Sequence, residues 1–204
     1  MSSSDRSLTP DVIATIKATI PALEAHGLDI TSEMYRRLLA DPAIAEMFDP
    51  THQSKGTQPR ALAMAVLAYA RNIDNLGVMG GAVERIAQKH VSLEILPEHY
   101  PHVATALIGA IQHVLGDAAT PAILDAWGRA YWALADILMG REGQLYDAST
   151  HAEGGWTGWR DFTIINATRE CDNVTTLELK PTDGKTVIQA IPGQYLGVDL
   201  NVPG

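Results

Sequence analysis

The sequence predicts a mainly α-helical domain followed by a short antiparallel β segment. Three observations carry this. Up to about residue 150, Ala, Leu, Ile and Met recur at the three- and four-residue spacing of helices that bury one face. Beyond it, short alternating runs take over, as in DFTIINATRE and NVTTLELKP. Between them, HAEGGWTG (His151–Gly158) is rich in glycine and reads as a linker. The chain has 204 residues, 46% of them hydrophobic and 19% charged, which is enough apolar material for a sizeable core.

The helices follow from their punctuation. Thr9-Pro10 pairs an N-cap with proline at the first helical position. It opens a helix that turns Val12, Ile13, Ile16, Ile20 and Leu23 inward and is expected to end near Gly27. A second helix is expected from about Asp29 to Ala40, with Ile30, Met34, Leu38 and Leu39 apolar. Asp41-Pro42 starts a short third helix ending at Phe48, and a polar loop follows from Asp49 to Gly56. A long helix runs from about Pro59 to Leu76. Gly80 and Gly81 precede a helix over 82–93, and Pro97 opens another that reaches about Leu115. Thr120-Pro121 repeats the opening signature and starts the last helix, to about Tyr146. In the β segment, Phe162, Ile164 and Asn166 share one face, and Val174, Thr176, Leu177 and Leu179 follow. A third piece holds Val187, Ile188, Tyr195, Gly197 and Val198, and PTDGK (Pro181–Lys185) has the residues of a tight turn.

Charge and composition exclude several functions. A formal net charge of −9 leaves no basic footprint for nucleic acid and no cationic patch for a membrane surface. The longest apolar run, Ala61 to Ala70, lies between two arginines and is about half the ~20 residues a bilayer span requires, so no membrane span is expected. The start MSSSDRSLTPD has neither a cationic nor an apolar region of a signal peptide, and a cytoplasmic location is expected. Cys171 is the one cysteine, which excludes an intramolecular disulfide and a cysteine-only metal site.

The histidines are the first candidates for chemistry. None of the seven stands in a HExxH or HxH spacing, so a zinc site of the usual kind is not expected. His26, His52, His99, His102, His113 and His151 fall at helix ends, in loops or at polar positions and read as solvated or capping. His90 differs. In AVERIAQKHVSL it follows Val83, Ile86 and Ala87 by seven, four and three residues, which puts an imidazole on an apolar stripe. Two readings stay open for it: a core histidine hydrogen-bonded to a neighbour, and a metal or haem ligand. Seven helices in a domain of this length pack around a pocket in the globin arrangement, where one histidine holds haem iron. Gln58 stands at the polar entrance of the long helix with Leu62 one turn further on, and Tyr35 lies amid apolar neighbours in the second helix. A tyrosine hydroxyl and a glutamine amide can together hydrogen-bond the partly negative oxygens of bound dioxygen.

These residues also resemble a known family. IATIKATIPAL (Ile13–Leu23) is very similar to the first helix of bacterial flavohaemoglobins. EMYRRLL, MFD, KGTQPRAL, AYARNIDNL, VERIAQKHVSL, LPEHY, LDAWGRAY and GREGQLY continue the match in order. GGWTGWRDFTI and IPGQYLGVDL resemble the opening of that family's flavin-reductase domain. The resemblance implies a globin fold over residues 1–148, a linker over 149–158, and over 159–204 the incomplete start of an antiparallel β-barrel of the ferredoxin-reductase type.

The resemblance also implies roles. His90 matches the proximal haem ligand, Tyr35 the distal tyrosine that hydrogen-bonds dioxygen, and Gln58 and Leu62 the distal pocket. Tyr100 and Glu142 match a proximal tyrosine and glutamate that form a hydrogen-bonded relay with the haem histidine, a second layer that pushes electron density onto iron. Tyr195 matches a residue that contacts FAD. Haem b, and FAD in the reductase domain, are the implied cofactors, and dioxygen and nitric oxide the implied ligands. The implied activity is nitric oxide dioxygenation, which converts nitric oxide and dioxygen to nitrate. Family members carry a complete FAD barrel and a nicotinamide-binding domain. The Arg-x-Tyr-Ser motif of the flavin site is not found here, so this stretch alone is not expected to hold the flavin. Electrons are expected from an NAD(P)H-dependent flavin reductase, in cis in a full-length relative or in trans. Two rival readings share the helices: a single-domain oxygen carrier or gas sensor without turnover, and a haem-free helical interaction protein.

Overall fold

The computed structural model describes residues 6–45, 57–194 and 196–199. The chain divides into two units, Met1–Arg141 and Glu142–Gly204, which are taken in turn.

The first unit is helical. Its elements are α1 (Pro10–Ala18), α2 (Ile20–Leu38), α3 (Pro42–Ala45), α4 (Thr57–Arg71), α5 (Gly80–Ser92), α6 (Tyr100–Leu115) and the beginning of α7 (Pro121–His151). Single turns of 3₁₀ helix, Leu76–Met79, Pro97–His99 and Gly116–Ala118, sit between α4 and α5, before α6 and before α7. Both Thr-Pro signatures cap as expected. Thr9 Oγ1 accepts the Val12 N–H, and Thr120 Oγ1 accepts the Ile123 N–H.

The helix boundary expected at Gly27 is instead at Thr19. Pro21 stands in the first turn of α2 and offers no N–H, so the ladder from α1 cannot continue through it. Thr19 closes α1 by donating both its backbone N–H and its hydroxyl to the Ile16 carbonyl, at 3.0 and 2.7 Å. Gly27 lies buried inside α2, where a Cβ would come within 3.7 Å of Ala63 Cβ on α4. It serves close helix packing rather than termination. The long fourth helix ends at Arg71 rather than Leu76, where the Asn72 side-chain amide donates to the Ala68 carbonyl at 2.8 Å beside the Asn72 backbone N–H. The expected end of the third helix at Phe48, and the loop from Asp49 to Gly56, lie outside the described residues.

Two apolar clusters build the unit. The first centres on Ile16, Ile30, Tyr69, Ile111 and Trp127, contributed by α1, α2, α4, α6 and α7. Its polar atoms are bonded internally: Trp127 Nε1–H donates to Thr19 Oγ1 at 3.3 Å, and Tyr69 O–H to the Ala130 carbonyl at 2.7 Å. The second gathers Tyr100, Ala135 and Leu138, with Val83 and Ile86 of α5 packed against them. Tyr131 and Leu134 of α7 contact both clusters.

The second unit holds the end of α7 and a two-stranded antiparallel sheet, β1 (Phe162–Cys171) and β2 (Val174–Pro181). Phe162 pairs with Pro181, Ile164 with Leu179 and Cys171 with Val174, with irregularities at 164–166 and 169–171. α7 runs on to His151, beyond the expected Tyr146. The turn at PTDGK forms, with Gly184 at φ 68° and its N–H on the Pro181 carbonyl. The third β piece does not form among the described residues. The backbone at its start is bonded otherwise: Arg160 donates to the Lys185 and Thr186 carbonyls just before it, and the Ile188 N–H goes to the Gly154 carbonyl at 2.9 Å. Among the described residues no helix is long and apolar enough to cross a membrane.

These burials predict separate stabilities. Ile30→Ala, at 1% exposure, is expected to cost about 2–5 kcal/mol by chemical unfolding. Ile165→Ala, at 53% exposure, is expected to change stability by no more than about 0.5 kcal/mol. Equal losses from the two would contradict the assignment of the core.

Candidate functional site

The site is organised by α2. Thr31 and Tyr35 are four residues apart and share one face of this helix. The Thr31 hydroxyl, fully buried, donates to the Pro59 carbonyl at 2.8 Å. That bond seats the first turn of α4 against α2, and Gln58 precedes Pro59. One turn along α2, Tyr35 is 8% exposed and its hydroxyl is hydrogen-bonded with the Gln58 side chain. Burial pushes the Tyr35 hydroxyl up from 10.0 to about 12, and the bond with Gln58 works against that rise. At neutral pH it therefore keeps its proton and can donate a hydrogen bond. Leu62, one turn beyond Gln58, is half-buried against the first apolar cluster. The structure thus brings Tyr35 and Gln58 together, with Leu62 on the same helix as Gln58.

His90 stands near the end of α5, half-buried. Its Nδ1 lies 3.3 Å from the Tyr100 hydroxyl, and the rings meet edge-on with centroids 6.2 Å apart. The imidazole tautomer decides which of the two donates. Tyr100 is 5% exposed, and Tyr131 O–H donates to its carbonyl at 2.7 Å, which ties the first turn of α6 to α7. Glu142 is 2% exposed and follows Leu138 by one turn of α7. A carboxyl so buried is tolerable only when its oxygens are hydrogen-bonded. Tyr195 lies outside the described residues.

Two features of the neighbourhood are absent from the sequence-based set of residues. One is Thr31, which the four-residue spacing to Tyr35 could have signalled. The other is an ion pair: Arg141 Nε donates to Glu84 Oε2 at 2.6 Å and Nη2 to Oε1 at 3.1 Å. The guanidinium, with help from Gln88, holds the Glu84 carboxyl down at about 2. The residues are 57 apart in sequence, and no local pattern announces such a pair.

The donor set favours a group that brings most of its own ligands. Among the described residues no three His, Cys, Asp or Glu side chains gather as a metal site. A lone, half-buried imidazole fits a porphyrin iron, whose ring supplies four of the ligands. The apolar surroundings fit as well. α4 belongs to the first apolar cluster and α5 to the second, and half-buried Leu62, Val66, Val83 and Ile86 line the two helices.

Comparison with known proteins identifies the family of the helical part. The Globin family model matches residues 32–138. The chain is 50% identical to a flavohemoprotein of Xylella fastidiosa over 198 residues, which is 97% of this chain and 50% of that protein. It spans about half the length of the curated relatives it matches. Among solved structures, an engineered carbene transferase derived from a candidate nitric oxide dioxygenase of Rhodothermus marinus matches with a TM-score of 0.67 and 35% identity, over 71% of this chain and 100% of that one. A flavohemoglobin from Malassezia yamatoensis with bound FAD and heme matches with a TM-score of 0.81 and 32% identity, over 93% of this chain and 49% of that one.

The raised Tyr35 hydroxyl has a measurable sign. The unfolded chain ionises this tyrosine near its ordinary value, while the folded chain holds the proton to about 12. The stability this contributes is complete below pH 10 and is lost as pH rises through 12. Tyr35→Phe is expected to reduce the stability lost between pH 9 and 11 by about 1 kcal/mol, measured by urea unfolding. Equal losses in the two proteins would show that Tyr35 ionises as an exposed tyrosine does.

Proposed function

As the chain belongs to the globin family, we propose that it is the haem-binding part of a nitric oxide dioxygenase, with residues 1–148 as the haem domain. Residues 149–158 are then a linker and 159–204 the start of an FAD-binding reductase domain. The observation that carries the reading is the pairing of polar groups on two sides of a split apolar core: Tyr35 with Gln58, and His90 with Tyr100. The likeness to flavohemoproteins across 97% of the chain, and to the Rhodothermus marinus protein, supports the choice of reaction.

When bound, haem supplies the iron at which dioxygen and nitric oxide combine to nitrate. The chain's own residues do the rest. His90 would hold the iron through Nε2, and its Nδ1–H would then be donated to the Tyr100 hydroxyl oxygen. That bond fixes the ring and makes the imidazole a stronger electron donor. Glu142, buried one turn beyond Leu138, is the carboxylate assigned to the same relay. Tyr35, kept neutral by burial, would offer its O–H to a partly negative oxygen in the pocket, with Gln58 orienting that hydroxyl. Leu62 lends the pocket an apolar wall that excludes water. A reductase in cis or in trans would supply the electrons, with FAD and NAD(P)H as its cofactors. Tyr195 is the residue of this chain assigned to the flavin, and the cytoplasm is the proposed location. A single-domain oxygen-binding or gas-sensing globin without turnover is the second reading. The Rhodothermus marinus chain, matched over its whole length by 71% of this one, supports the single-domain extent of that reading and not its lack of turnover.

Two substitutions test the assignment. His90→Ala is expected to abolish tight haem binding, seen as loss of the Soret band after reconstitution; an unchanged ferrous spectrum would contradict the ligand. Tyr35→Phe is expected to weaken dioxygen retention by about 1–3 kcal/mol, through loss of a donor to a charged, buried acceptor. The dioxygen off-rate should rise while carbon monoxide affinity changes little. Stopped-flow mixing of the oxygenated protein with nitric oxide should yield nitrate, and its absence would favour the carrier or sensor.

A further inference from the structure

The helix that carries His90 is thinly packed. Ala87 is the fully buried residue of α5, and Val83 and Ile86 are half-buried against the second cluster. Small apolar contacts of this kind resist separation but leave a helix free to turn or slide slightly. Polar ties remove that freedom, and α5 makes such ties to other helices near both of its ends. At its C-terminal end His90 meets Tyr100 of α6. Toward its N-terminal end Glu84 meets Arg141 of α7.

The second tie is well defined. Arg141 Nε donates to Oε2 at 2.6 Å and Nη2 to Oε1 at 3.1 Å, while Gln88 Nε2, one turn along α5, donates to Oε1 at 2.9 Å. A planar fork on a carboxylate fixes direction as well as distance, which a lysine ammonium does not. Both side chains are partly exposed, so the pair adds little to global stability. Its geometry, rather than its strength, is what it can contribute. Glu84 precedes His90 by six residues, roughly 9 Å along the helix axis. At that separation in a partly exposed setting its charge is well screened, and its influence on His90 must travel through the helix.

We propose that the Glu84–Arg141 pair is a positioning clamp for the iron ligand. By fixing the rotation of α5 against α7, it holds the His90 ring where Nδ1 stays on the Tyr100 hydroxyl. The inference rests on His90 being the residue that holds iron. Without the clamp α5 samples neighbouring orientations, the Nδ1–H to Tyr100 bond lengthens, and the imidazole becomes a weaker electron donor.

Resonance Raman of the ferrous haem-loaded protein reads this directly in the iron–histidine stretching band. Glu84→Ala is expected to lower and broaden the band, and Tyr100→Phe to lower it. Arg141→Lys, which keeps the charge and loses the fork, is expected to resemble Glu84→Ala. The combination Glu84→Ala/Tyr100→Phe should shift no further than Tyr100→Phe alone, since the clamp acts only through that bond. In the haem-free chain, Glu84→Ala should also speed hydrogen exchange of the α5 amides. An unchanged band in Glu84→Ala, or additive shifts in the double variant, would overturn the clamp. Circular dichroism checks folding, and Glu84→Gln is read by the same outcomes if the alanine variant is unfolded. His90→Ala separates the two claims. Retention of haem with an unshifted band would overturn the ligand assignment. Loss of haem there, with an unchanged band in Glu84→Ala, would overturn the clamp alone.

Discussion

One buried hydroxyl sets the geometry of the Tyr35 side of the site. Thr31 donates to the carbonyl of Pro59, in the first turn of α4. A first-turn proline costs no hydrogen bond of its own, and its carbonyl is bonded across to α2. The bond is short and sealed from water, so breaking it would remove a buried polar tie between α2 and α4. Gly27 works to the same end one turn earlier, by letting α4 approach to the contact distance of Ala63. With α2 and α4 held at two successive turns, Tyr35 at the third meets Gln58. The tyrosine is therefore placed by backbone packing, and its neighbours do not need to be charged.

The His90 side is held differently. Its helix contributes small or half-buried side chains to a small cluster, and polar contacts to Tyr100 and Arg141 set its orientation. The contrast has a physical basis. A neutral donor such as Tyr35 is most useful when deeply buried, where its proton is retained and its hydrogen bond is not shared with water. An imidazole that must serve a metal has to present one nitrogen outward and bond the other, which demands control of ring rotation rather than depth. Tyr131 and Leu134 of α7 touch both apolar clusters, so one helix gives the two sides a common frame.

Much of this was legible in the sequence. The Thr-Pro caps, the apolar stripes and the position of His90 on its stripe are local patterns, and local patterns survive translation into structure. The boundary at Gly27 was misread because glycine has two uses, helix termination and close packing. Only the partner across the interface, Ala63, decides between them. Tyr35 and Gln58 could be named from the resemblance, yet their contact depends on Thr31, whose role is visible only once α4 is in place. Arg141 and Glu84 could not be paired from sequence, since 57 residues and the whole of α6 separate them.

The β segment shows the same limit from the other direction. Alternation correctly marked two strands, because pairing between neighbours in sequence needs only a tight turn at 172–173. The stretch after Gly184 has a similar apolar content and no strand among its described residues. Arg160 explains the difference. Its guanidinium is anchored on Asp183 and lies near the Trp156 and Phe162 rings, from where it binds the Lys185 and Thr186 carbonyls. A strand needs those carbonyls for its ladder. Hydrophobic alternation reports which residues prefer a pleated surface, whereas the competition for backbone acceptors decides whether a strand forms. Here one arginine, distant by 25 and 26 residues from the carbonyls it takes, occupies the acceptors at the start of that stretch.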